Sequence, residues 1–246
     1  MTFWDHLDEL RAVIIRVLTV TALAAVAAFA FKDELFAIVL APCTSNFITF
    51  RLLGTAPFSL SLMNTGLTEQ FMIHLRTAMY AGLLTALPNV VYQLFRFVSP
   101  ALYDSERHYA LTVTVAGYAM FMLGTIVNYL LVFPLTVRFL GTYQVSPDVA
   151  NMLTLQSYVD TLIAMSLVMG LVFELPVVMW ILGRLGVADR TLLSQWRRHA
   201  VVAILVVAAI ITPTTDAFTL LIVAIPIWLL YELSIVLVPK KSLQNN

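Results

Sequence analysis

The stretch MSLVMGLVFELPVVMWIL, residues 165–182, carries one carboxyl group, Glu174, in an otherwise hydrocarbon-like run. It belongs to one of six apolar segments that dominate the chain: residues 12–31, 71–98, 109–135, 158–182, 200–211 and 217–238. A helix rises about 1.5 Å per residue, so roughly 20 apolar residues cross a hydrocarbon core of about 30 Å. Inside lipid every backbone N–H and C=O must find its partner within the protein, which leaves helices as the solution for such segments. The second and third segments exceed a straight crossing, so tilt or curvature is expected. The fifth reaches only about 18 Å at helical rise and needs thinned lipid, flanking residues or a re-entrant turn. A short true span is preferred, because ITPTTD supplies a tight turn directly before the sixth.

Composition supports the same class. The chain has 246 residues, 61% of them hydrophobic and 11% charged. A soluble domain is roughly half apolar and about a quarter charged, and a chain this poor in charge has too little polar surface to cover itself. Net charge is zero, so no attraction to nucleic acid is indicated. The single cysteine, Cys43, excludes an intramolecular disulfide, and His6, His74, His108 and His199 show no metal-ligand spacing. Neither a G-x-S-x-G motif, a phosphate-cradling glycine loop nor H-E-x-x-H is present. No enzyme activity and no cofactor are expected.

The leader MTFWDHLDELR carries Asp5, Asp8 and Glu9 where a cleaved signal peptide wants positive charge, so segment 12–31 is expected to be a retained first span. Residues 2–11 read as a helix lying in the membrane interface, with Phe3, Trp4, Leu7 and Leu10 on one face. Lysine and arginine then set the orientation. With six spans and the N-terminus inside, Arg11, Arg16, Arg96, Arg107, Arg184, Arg190, Arg197, Arg198, Lys240 and Lys241 face the cytoplasm, against Lys32, Arg51, Arg76 and Arg138 toward the outer side. Both termini are therefore expected in the cytoplasm. Residues 41–68 form the largest outer loop, in which FSLSL alternates with the period of an extended strand.

Glu174 is the sharpest internal feature. A carboxylate at membrane depth costs several kcal/mol and such residues usually face a bundle interior or a wet cavity. Pro176 follows two residues later and cannot donate a backbone hydrogen bond, so a kink is expected there. Pro88, Pro134 and Pro226 recur in other spans, and together the four predict a concave, cup-like bundle rather than a compact cylinder. Gln93 and Asn128 are further polar groups within spans, a kind that often bonds helix to helix. Acidic residues near a helix start, such as Glu106 after Asp104, are also accounted for by the helix dipole alone.

Taken in order, HLDELR, FVSPALYDSER, FELP, RRHAVV and ITPTTD followed by AIP resemble the TatC family, a subunit of the twin-arginine translocase, over nearly the whole chain. The resemblance implies a cytoplasmic (inner) membrane receptor of bacteria for folded cargo whose signal peptides carry paired arginines. Guanidinium groups pair with carboxylates in a planar, bidentate geometry. By resemblance Glu106 is the principal arginine contact and Glu9 the second, with Leu10, Arg11, Phe97, Pro100 and Tyr103 shaping the patch. Glu174 and Gln93 would supply polar contacts along the wall. It further implies TatA-like and TatB-like single-span partners outside the fifth and sixth helices, assembly into an oligomeric Tat complex, and transport driven by the proton-motive force without nucleotide. Two other readings stand beside it: a proton-coupled small-solute transporter with Glu174 as relay, and a membrane-embedded enzyme.

Overall fold

The structure is a computed structural model, and it describes residues 3–54, 58, 60–98, 104–143, 146, 152–184, 186–212 and 216–238; the side chains of 3–6, 94–96, 98 and 104–111 lie outside that description. The chain is almost entirely helical. Among the described residues, four helical stretches are long and apolar enough to cross a membrane: Leu7–Ala30, Thr112–Thr142, Leu155–Arg184 and Ala217–Leu237. By their contacts the residues fall into two compact units.

The first unit comprises Met1–Phe47, Thr55–Ala119 and Met152–Ile163. Its first helix, α1 (Phe3–Ala30), is unbroken. The leader expected to lie in the interface is instead the opening of this same helix, because neither glycine nor proline stands between it and the span to stop helical propagation. The short α2 (Lys32–Leu40) follows, then a single 3₁₀ turn at Ala41–Cys43. α4 (Glu69–Val98) carries Pro88 inside it; α3 and β1, which precede it, are described below. α1 and α4 pack tightly. A Cβ on Gly82 would fall 2.5 Å from the Ala25 nitrogen, so only glycine permits this approach. Four residues further along α1, Phe29 stacks on His74, eight residues earlier in α4, at 3.9 Å between ring centroids. The pairing advances along one helix as it retreats along the other, so the two are antiparallel. Phe36 of α2 closes over the other side of His74 at 5.7 Å.

Extended structure in the outer loop occurs one step later than FSLSL predicts. Residues Leu62–Met63 (β1) pair in parallel with Leu153–Thr154 (β2), Leu62 against Leu153. The first and middle residues of FSLSL pair with the turn at 43–45, since Ser45 N–H donates to Phe58 O and Leu60 N–H to Cys43 O. Burial pushes the Cys43 thiol above its ordinary range, opposed by a weaker contact with Tyr158, so the thiol stays protonated. The Tyr158 hydroxyl donates to Val39 O at 2.8 Å and ties α7 (Leu155–Phe173) to the end of α2.

The second unit comprises Ile48–Gly54, Met120–Asn151 and Ala164–Asn246. It contains α3 (Ile48–Leu52) and the end of α5 (Asp104–Val127), which runs through a π-helical turn at Asn128–Val132 into α6 (Phe133–Thr142). This helical run extends past the boundary expected at residue 135 because Pro134 sits near the start of α6, where a missing N–H is tolerated by the preceding π turn. Two glycines let α5 approach α7: a Cβ on Gly124 would come within 2.6 Å of the Met169 carbonyl, and one on Gly170 within 2.7 Å of the Phe121 ring.

α8 (Leu175–Arg184) continues from α7 after a single turn residue. α9 (Arg190–Gln195) is capped by Asp189, whose carboxylate accepts from Leu192 N–H at 2.6 Å. α10 (Arg197–Ile211) begins three residues earlier than the expected fifth segment and so reaches about 22 Å. α11 (Ala217–Leu237) is capped by Asp216, which accepts from Thr219 N–H at 2.8 Å, and carries Pro226 inside it. Arg197 pairs with Glu232 at 2.8 Å, and the Tyr231 hydroxyl donates to Leu193 O, so α9 and the start of α10 are both fastened to α11.

Candidate functional site

Glu9, Leu10 and Arg11 lie near the start of α1, the first two half-buried and Arg11 exposed. Phe97 is half-buried in the last turn of α4. Equal lengths of helix separate Leu10 from Ala25 and Phe97 from Gly82. Because Ala25 and Gly82 touch and the helices are antiparallel, Leu10 and Phe97 come to the same end of the pair. α5 begins at Asp104, and the intervening residues can reach at most about 20 Å. The first turn of α5, which holds the Glu106 backbone, therefore starts from that end as well. Pro100, Tyr103 and the Glu106 side chain lie outside the described residues.

Glu9 stands next to the apolar Leu10 in the chain and Arg11 follows it, at the end of α1 that meets the end of α4 holding Phe97.

Gln93 lies on α4 one turn before Phe97 and is 9% exposed. Its Oε1 has no hydrogen-bond partner among the described residues, and neither does Asn89 Nδ2 one turn earlier. Two unsatisfied amide atoms one turn apart on a helix are costly in lipid.

In the second unit Glu174 is the turn residue between α7 and α8. Its N–H reaches back only to Leu171 O, while its own carbonyl accepts from Val178 N–H at 2.9 Å. The helical ladder is interrupted here because Pro176 offers no N–H to the turn before it. The side chain is half-buried and has no ion pair or hydrogen bond among the described residues. Deeper in the same unit Asn128 Nδ2 donates to Ser166 Oγ at 2.9 Å, a fully buried link between the π turn and α7. That bears out the reading of Asn128 as a helix-to-helix bond.

One hub at the far end of the first unit is not legible in the motifs. Glu69, at the start of α4, accepts from Gly66 N–H at 2.7 Å, Thr65 N–H at 3.0 Å, the Thr65 hydroxyl and Gln156 N–H. These bonds, led by Gly66, hold its carboxyl below the usual range against the opposing effect of burial. A cleft of about 320 Å³ opens beside it, lined also by Met72 and Arg76. Arg76 pairs with Asp160 of α7 at 3.2 Å. Glu69 stands two residues before the segment expected to begin at residue 71, so its place in the first turn of α4 was not foreseen.

Comparison with known proteins follows this geometry. The family described as Sec-independent protein translocase protein (TatC) matches residues 5–226. A relative from Deinococcus radiodurans, named Sec-independent protein translocase protein TatC, is 36% identical over 95% of this chain and 84% of its own length. One of the same name from Aquifex aeolicus is 30% identical over 96% of this chain and 94% of its own. Among solved structures, a crystal structure described as the twin arginine translocase receptor TatC in DDM superposes with a TM-score of 0.76 at 29% identity, covering 95% of this chain and 99% of that one. A second TatC crystal structure gives 0.73 at 30% identity, covering 94% and 97%.

Proposed function

Because the chain belongs to the TatC family of Sec-independent protein translocase proteins, and is a multi-pass membrane protein of a protein-transport family, we propose that it is the receptor subunit that binds twin-arginine signal peptides. The end of the first unit that carries Glu9, Leu10, Arg11 and Phe97, and from which the Glu106 turn departs, is the docking patch. The observation that carries this reading is the antiparallel α1–α4 pair, in which the helix ends holding two motifs distant in sequence, HLDELR and the start of FVSPALYDSER, lie at one end.

In this reading Glu106 and Glu9 each take a guanidinium group, Pro100 and Tyr103 complete the apolar rim, and both termini face the cytoplasm of a bacterium. Six spans, the short α10 among them, form a cup in the inner membrane. The apolar part of the signal peptide runs along its wall, where Gln93 and Glu174 supply polar contacts. TatA-like and TatB-like single-span proteins assemble with it into an oligomeric complex, and the proton-motive force drives transport. An apolar cleft of about 430 Å³ lined by Leu131, Phe173, Ile222 and Pro226 is consistent with a bilayer-embedded protein that packs against further helices. Family membership favours this reading over the solute-transporter and enzyme readings.

The test is crosslinking of a twin-arginine peptide to photoreactive residues substituted at positions 9 and 106. Adducts should form with the paired-arginine peptide and fall when both arginines become lysine. Adducts of equal yield with the lysine peptide would overturn the reading.

A further inference from the structure

Arg16 stands inside the apolar run of α1, with Ile15, Leu18 and Leu23 exposed around it, and is itself exposed. About two and a half turns separate it from Ala25, so it faces directly away from the side that packs on Gly82. Leu23, two turns further on the same face as Arg16, is 66% exposed. This face therefore meets lipid. No ion pair or hydrogen bond of Arg16 exists among the described residues: Asp8 and Glu9 do not pair with it, and the Thr19 hydroxyl donates instead to Ile15 O at 2.7 Å.

A cation on a lipid-facing surface needs a counter-ion, and depth decides which. The exposed charges Lys32, Asp33 and Glu34 mark the membrane surface at the other end of α1. About 24 Å of helix at most lies between Lys32 and Arg16, leaving about 6 Å to the far edge of a hydrocarbon core about 30 Å thick. An extended arginine side chain spans that remainder and delivers its guanidinium to the phosphate layer. Guanidinium and phosphate match in bidentate geometry.

We propose that Arg16 binds the phosphate of an anionic phospholipid in the leaflet on the leader's side. The site belongs to the face of α1 turned away from α4 and stands whether or not the neighbouring leader end receives a signal peptide. It sets the depth of α1 in the membrane, because the helix cannot slide along its axis without dragging the guanidinium out of the headgroup layer.

The experiment uses the whole protein in nanodiscs of phosphatidylcholine doped with a photoactivatable phosphatidylglycerol, or with the same photoactivatable group on phosphatidylcholine. Lipid adducts on the α1 peptide are counted by mass spectrometry. The wild type should be labelled preferentially by the phosphatidylglycerol probe. Arg16→Leu should lower that labelling about fivefold, the worth of one basic residue at an anionic surface, and Arg16→Lys should keep most of it. Equal labelling by the two probes in the wild type, or unchanged labelling in Arg16→Leu, would overturn the proposal. Crosslinks to a second copy from a photoreactive residue at position 19, replacing lipid adducts, would assign the face to self-association and overturn it as well.

Discussion

The Thr49 hydroxyl donates a hydrogen bond to the carbonyl of Leu130, and four residues further on stands Pro134, which has no N–H to give that carbonyl. A freed carbonyl in a membrane helix is costly unless a neighbour satisfies it, and serine and threonine are the usual donors. Here the donor comes from α3, a short helix in the loop, so the loop completes the ladder of a span rather than merely covering it.

Thr49→Val keeps the side-chain shape and removes the donor. It should destabilise the protein by about 1–3 kcal/mol, the cost of a buried acceptor left unmade, and Thr49→Ser should recover most of the loss. Thermal unfolding of the purified variants in one detergent checks both. Identical midpoints for the wild type and Thr49→Val would mean that another group serves the Leu130 carbonyl.

Gly82→Ala should cost about 1–3 kcal/mol, because its Cβ would have to push α1 away from α4. The same change should weaken a disulfide crosslink between cysteines placed at positions 10 and 97, since the contact that sets their register is loosened. An undiminished crosslink would show that the register of the two helix ends does not depend on this close approach.

The Glu69 clamp should loosen in acid. Its carboxyl is held below the usual range in the folded protein, so its contribution is fully present above the ordinary carboxylate range and is lost as pH falls through the depressed folded value. Hydrogen exchange at Thr65, Gly66 and Gln156, corrected for intrinsic rates, should therefore speed up only well below the ordinary range. Glu69→Gln should show the same loosening at neutral pH. Protection at these amides that is indifferent to both would remove Glu69 from its role.

Glu174→Gln should leave peptide docking intact and impair transport, since it keeps the shape at the α7–α8 break and removes the capacity to ionise. Docking is read by crosslinking and transport by export of a twin-arginine reporter in cells. Full export by the variant would show that a neutral amide serves as well at this position.

Membrane class and most helices were readable because apolar length is decisive in lipid: α4, α7 with α8, and α11 fall close to their expected bounds. Boundaries failed where no residue type announces them. The acidic, amphipathic composition of the leader set it apart from the apolar run, although no glycine or proline stands between them to stop α1. The π turn has no composition of its own, and Asn128 was legible only as a polar residue with some partner, not as one that meets Ser166. Glu9, Leu10, Arg11 and Phe97 were named through motif order, whereas the close approach of α1 and α4 depends on Gly82, a residue with no side chain to draw attention. Arg76 was placed near the outer end of its span, but its neutralisation by Asp160, 84 positions away, is a tertiary fact.

The π turn at Asn128–Val132 also constrains how this span can vary over generations. An ordinary membrane helix that gains or loses one amino acid turns everything downstream by roughly a quarter circle, scrambling which side chains meet lipid. A widened loop of backbone absorbs such a slip locally. Excising a single position there would tighten the coil to an ordinary helical turn and leave Thr136, now wholly enclosed, facing its present neighbours, so this short window serves as the slack-absorbing joint between two halves of one rod.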